Sequence, residues 1–147
     1  METCQDAVQA IAAIPGLHDL IVSNWWQTAP LPPSEQPLFV NGMVGFSGNI
    51  APETLLVALQ SIENHFGRRR DRVNAARTID LDIIAMGEIT RPAPDPILPH
   101  PRAHLRAFVL SPLLDIAPDW VHPVLKQKAT DLLKQLTDQR CYRLNQS

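Results

Sequence analysis

The sequence predicts an α+β fold in which an antiparallel sheet is covered by helices. Three observations carry that prediction: two stretches with apolar residues at helical spacing, three extended apolar segments, and connections that are short or stiffened by proline. With 147 residues, 45% of them hydrophobic and 19% charged, the chain fits one domain over residues 1–147, with no repeat and no linker. A chain of this size builds its core without a disulfide or a structural metal.

The elements follow in order. Residues 3–14 place Ala7, Val8, Ile11 and Ile14 on one stripe, with Thr3 and Asp6 in capping-box spacing and Pro15-Gly16 as the stop. Residues 20–27 and 38–46 read as two antiparallel strands joined by a proline loop. On the first of them, adjacent Trp25 and Trp26 face opposite ways, so at most one is core. Pro52 opens a second helix and Gly67 closes it, with Leu55, Leu56, Leu59, Ile62 and Phe66 on one face. Residues 78–85 read as a third strand, residues 107–113 as a short apolar segment, and residues 130–136 as a last turn or two of helix. Of the 14 prolines, nine fall in residues 29–37 and 91–101, which marks both stretches as stiff loops. The order α-β-β-α-β is a ferredoxin-like β-α-β-β-α-β unit with its first strand missing.

Composition narrows the function. No run of about 18 apolar residues is present, which argues against a membrane span. The start METCQDAVQA lacks the cationic opening of a secretory signal, so a cytoplasmic protein with reduced Cys4 and Cys141 is expected. A net charge of −2 argues against a nucleic-acid partner, and 5% aromatics without an RNP-like strand argue against an RNA-reading sheet. Eight of the ten arginines nevertheless fall between Arg68 and Arg106. Such a cluster suits a small phosphorylated ligand, the alternative being a solvated charged face.

The chemistry concentrates beside those arginines. Strand alternation in TIDLDIIA puts Asp80 and Asp82 on one face, with Cα atoms about 6.5–7 Å apart. That span suits one magnesium ion between the carboxylates or a pair of ions, the alternative being a solvated strand face. Arg68, Arg69, Arg70, Arg72 and Arg77 precede the aspartates, which completes the parts needed for phosphoryl transfer. No lysine occurs before Lys126, so a Walker A loop is excluded and side chains with metal must hold the phosphates. His100 is set between two prolines as either a held ligand or a surface histidine. Asn41 reads as a reader of a heterocycle edge or a strand-end asparagine, and Phe39 and Phe108 as stacking rings or core.

The blocks QTAPL, EQPLFVNGMV, LQSIENHFGRRR, NAARTIDLDII and LPHPRAHLRAFVLSPLLDIAPD, within residues 23–119, resemble the 6-hydroxymethyl-7,8-dihydropterin pyrophosphokinases of folate biosynthesis. The resemblance implies transfer of pyrophosphate from ATP to the pterin hydroxymethyl group with release of AMP, and two magnesium ions on Asp80 and Asp82. It implies a pterin pocket of Thr28, Ala29, Leu31, Phe39, Asn41 and Phe108. ATP would be held by Gln60, Arg70, Arg77, Ile83, His100 and Arg106, with Arg68 and Arg77 in the catalytic loop that closes on the phosphates. Glu63 is expected to anchor an arginine. The chain departs from the family pattern at Asn74-Ala75-Ala76-Arg77, where a Gly-Pro pair is usual, and milder departures fall at Ala29 and Trp26. The family's opening strand and Gly-Ser-Asn turn are also not seen here. That leaves a non-catalytic binding or assembly partner of the same fold as the alternative, and it predicts self-association through an unpaired sheet seam or an upstream strand that fills it.

Overall fold

Apolar residues at helical spacing bury one flank of each of the first two helices in the computed structural model, which describes residues 2–28, 39–67 and 79–144. Helix α1 runs Glu2–Ala12 and helix α2 runs Pro52–Gly67, the latter with the bounds the sequence predicts. Thr3 therefore lies inside α1 and does not cap it. Ala7 and Ile11 of α1 are buried, as are Leu55, Leu59 and Phe66 of α2, and the two helices pack together. After α1 the chain turns through Gly16, whose φ of +90° is a conformation that side chains resist.

Each of the first two predicted strands is broken in two. Residues 20–27 contribute to β1 (Leu17–Val22) and β2 (Trp26–Thr28), and residues 38–46 to β3 (Phe39–Asn41) and β4 (Val44–Gly48). The break is a side chain entering the ladder. Buried Ser23 accepts the Met43 N–H on its hydroxyl at 2.8 Å and donates to the Asn24 carbonyl at 2.7 Å, while its own N–H donates to the Met43 carbonyl at 2.9 Å. Strands β1 and β4 pair in a two-stranded sheet. Strand β2 pairs antiparallel with β3 on one side and with β5 (Cys141–Arg143) on the other. The sequence reading does not anticipate β5, which is too short to show alternation.

The third predicted strand is not formed: among the described residues, 79–86 join no ladder. An extended apolar segment becomes a strand only when another strand takes its backbone groups. Here the Leu81 N–H donates to the Glu63 carboxylate and the Ile84 carbonyl accepts from the His100 N–H. Residues 107–113, read only as an apolar segment, belong to helix α3 (Ala107–Ile116), so Phe108 sits on a helix and not on a strand. Pro112, fully buried, lies within α3, where its ring nitrogen has no hydrogen to donate back along the helix. The side chain of Gln139 brackets the start of α3, accepting the Ala107 N–H at 2.8 Å and donating to the Leu105 carbonyl at 2.9 Å. The last predicted helix is α4 (Ala129–Lys134).

The chain packs as two compact units, Met1–Leu20 with Phe46–His100 and Ile21–Gly45 with Pro101–Ser147. The α1–α2 pair belongs to the first. In the second, Leu110 and Leu113 of α3 meet Ala129 and Leu132 of α4, with Met43 and Trp120 packed against them. Strands β2, β3 and β5 lie against α3 in the same unit.

Candidate functional site

Within the first unit, burial alternates along the segment that carries the acid pair. Ile79, Leu81 and Ile83 are half-buried, while Asp80 and Asp82 are exposed. The alternation predicted for a strand thus survives without a ladder, because the backbone is pinned by other groups. Glu63, half-buried on α2, accepts the N–H of Leu81, the residue between the aspartates, at 2.7 Å. The arginine cluster that Glu63 is expected to anchor falls among residues 68–78, outside the described residues. A sequence signal for its observed role exists: an acid three residues before buried Phe66, beside the apolar stripe of α2, needs a donor. Gln60, one turn earlier, is exposed. His100 is half-buried, and its N–H donates to the Ile84 carbonyl at 2.8 Å, which ties its backbone to the residue that follows Ile83.

In the second unit, Thr28 and Asn41 come together. Antiparallel pairing sets Trp26 opposite Asn41 and Thr28 opposite Phe39, and the Asn41 amide donates to the Thr28 hydroxyl at 3.1 Å. Burial holds the Cys141 thiol above its ordinary pKa, against the opposing influence of the Thr28 and Ser111 hydroxyls. Phe108, half-buried on α3, has the Arg106 guanidinium 5.4 Å from its ring centre, a cation–π arrangement. Of the Trp25 and Trp26 pair only Trp25 is core, within the limit of one that the sequence sets, although it lies in the break between β1 and β2. Ala29, Leu31, Arg68, Arg70 and Arg77 lie outside the described residues, as does the Asn74-Ala75-Ala76 departure.

Sequence reasoning misses the residue that ties α3 to the sheet. Asp115, near the C-terminal end of α3, accepts the Trp26 indole N–H at 2.8 Å and the Asn24 N–H at 3.1 Å, and pairs with Arg143 of β5 at 3.4 Å. Arg143 also lies over the Trp26 ring, 5.2 Å from its centre. No local signal marks Asp115, since its partners are remote in sequence.

The donor set fits magnesium. Asp80 and Asp82 offer oxygen ligands at exposed positions on a segment whose backbone is fixed by Glu63, and hard oxygen donors are what the ion takes. No group of three or more His, Cys, Asp or Glu side chains gathers among the described residues, so the pair by itself forms no closed protein cage. An ion held by two carboxylates that shares its remaining positions with phosphate oxygens is the arrangement expected of a phosphoryl-transfer site.

Compared with known proteins, the chain matches the 7,8-dihydro-6-hydroxymethylpterin-pyrophosphokinase family over residues 1–118. It is similar to a 2-amino-4-hydroxy-6-hydroxymethyldihydropteridine pyrophosphokinase of Pseudomonas aeruginosa, 44% identical over 118 residues, which is 80% of this chain and 73% of that protein. The enzyme of the same name from Haemophilus influenzae is 37% identical over 145 residues, 99% of this chain and 90% of that protein. A folic acid synthesis protein of Schizosaccharomyces pombe is 36% identical over 138 residues, 94% of this chain but 19% of that longer protein.

Proposed function

The chain belongs to the 7,8-dihydro-6-hydroxymethylpterin-pyrophosphokinase family, and we propose that it runs that reaction through the residues described above, as one pyrophosphokinase-like domain. The pterin hydroxymethyl oxygen attacks the β-phosphorus of ATP. The bond from that phosphorus to the bridging oxygen of the α-phosphate breaks, AMP leaves, and the hydroxyl proton is released. The observation that carries the reading is the acid pair, with both carboxylates exposed and the backbone between them fixed by Glu63.

Asp80 and Asp82 would hold magnesium, two ions in this reading, and the metal when bound neutralises phosphate charge as it builds in the transition state. Gln60, Ile83, His100 and Arg106 hold ATP, together with Arg70 and Arg77. Arg68 and Arg77 supply positive charge to the transferring phosphates, with catalysis resting on positioning and charge more than on covalent steps. Thr28, Ala29, Leu31, Phe39, Asn41 and Phe108 receive the pterin. Asn41 has donor and acceptor capacity beyond its bond to Thr28, which suits a ring edge carrying both, and Phe108 offers an aromatic face. Cytoplasmic location and self-association along open strand edges belong to the same reading. No helix among the described residues is long and apolar enough to cross a membrane.

The decisive experiment incubates the chain with ATP, magnesium and 6-hydroxymethyl-7,8-dihydropterin and identifies the nucleotide product. AMP in step with pterin pyrophosphate supports the proposal. ADP without AMP would make it an ordinary kinase, and no turnover would favour the non-catalytic alternative.

A further inference from the structure

The loop that leads to His100 is closed by one side chain that the reaction itself does not use. Backbone hydrogen bonds pair Arg91 with Leu98 in both directions, Arg91 N–H to Leu98 carbonyl at 2.7 Å and the reverse at 2.9 Å, which pinches the base of the proline-rich stretch 92–97. The Arg91 side chain, only 16% exposed, then folds over the same loop. Its Nε donates to the Pro94 carbonyl at 2.9 Å and its Nη2 to the Asp95 carbonyl at 3.4 Å, while Nη2 also pairs with Glu53 in the first turn of α2. That guanidinium holds the Glu53 carboxyl below the usual carboxylate range. Two residues beyond Leu98, the His100 N–H meets the Ile84 carbonyl, at the end of the segment that carries Asp80 and Asp82.

We infer that Arg91 is a positioning residue for ATP: it ties the 91–98 loop to α2 and so fixes where the His100 backbone meets Ile84, at the end of the segment that carries Ile83. The inference rests on the reading of His100 and Ile83 as nucleotide contacts. A planar fork that reaches two loop carbonyls and a carboxylate at once is a task for arginine, and the point charge of a lysine meets only part of it. The proline content of the loop limits its own backbone donors, so closure depends on this side chain more than it would in an ordinary loop.

Steady-state kinetics of Arg91→Ala, Arg91→Lys and Glu53→Gln test it. Arg91→Ala is expected to raise KM for ATP about tenfold while kcat and KM for the pterin stay within about twofold, the split expected when ground-state positioning of one substrate is lost. Arg91→Lys and Glu53→Gln should fall between it and the parent, since each keeps part of the clamp. An unchanged KM for ATP in Arg91→Ala overturns the inference, and so does a parallel loss in kcat and both KM values, which would mark a general folding role. If Arg91→Ala does not fold, an unchanged KM for ATP in both milder variants overturns it instead. Equilibrium binding of a fluorescent ATP analogue separates this failure from failure of the proposed reaction. A parent chain that makes no AMP refutes the reaction, whereas equal analogue affinity in parent and Arg91 variants refutes the positioning role.

Discussion

Three acids close together in the first unit are expected to fail in different ways. Asp80 and Asp82 are exposed, so Asp80→Asn or Asp82→Asn should leave stability within about 0.5 kcal/mol, the usual range for surface substitutions. Turnover should fall at least about 100-fold, because a charge that acts on the transferring phosphates is gone. Glu63→Ala removes the acceptor of the Leu81 N–H and should lower both stability, by about 1–2 kcal/mol, and turnover. Urea unfolding and AMP release measured on the same preparations distinguish the two patterns; equal stability losses in all three variants would be the contrary result. His122 adds a pH dependence in the second unit. It is buried, its Nδ1 accepts the N–H groups of Val124 and Leu125, and burial, with His104 beside it, lowers its pKa from 6.5. A histidine whose folded pKa is lowered favours the folded state while neutral. Its contribution is complete above about pH 6.5, where the unfolded chain is also neutral, and is lost as pH falls toward the folded value. His122→Asn keeps an acceptor near the Nδ1 position and does not titrate. Its urea midpoint should change less between pH 7.5 and 5.5 than that of the parent.

At the scale of elements, the second unit depends on how α3 meets its sheet. Asp115→Ala would strand the Trp26 indole N–H and the Asn24 N–H and remove the pair with Arg143. A loss of about 2–3 kcal/mol is expected in urea unfolding, with roughly half that for Asp115→Asn, which still accepts a hydrogen bond. The position is invisible in the sequence because Trp26 and Asn24 are 89 and 91 residues away. Elements with local causes were readable. Helix α2 announces itself through Pro52, Gly67 and an apolar stripe, and the acid pair through alternation that holds even without a ladder. Elements with remote causes were not. Breaking the long predicted strands takes the Ser23 hydroxyl meeting Met43, and leaving residues 79–86 outside any ladder takes Glu63 and His100. Helix α3, read only as a short apolar segment, is apolar nearly all round and carries a fully buried Pro112, so no amphipathic stripe marks it as a helix.

For the whole molecule, no group of three or more His, Cys, Asp or Glu side chains that could hold an ion gathers among the described residues. Chelation of magnesium is therefore expected to abolish AMP formation while shifting the thermal midpoint by no more than about 1–2 °C, a change too small to represent much more than a fraction of a kcal/mol. Adding ATP with magnesium should raise the midpoint as the nucleotide saturates the folded state. Scanning calorimetry with and without chelator checks both, and unfolding on chelation would show a structural ion. The interleaving of the two units has a consequence at the level of the gene. Because residues 21–45 belong with residues 101–147, no one crossover between two related genes can exchange either unit intact. A join after His100 comes nearest, but it delivers α3 and its Asp115 from one parent onto the Trp26 and Asn24 of the other. Recombinants made at that join are expected to lose about 2–3 kcal/mol of stability where the parents carry mismatched partners for that carboxylate, and to keep it where the partners match.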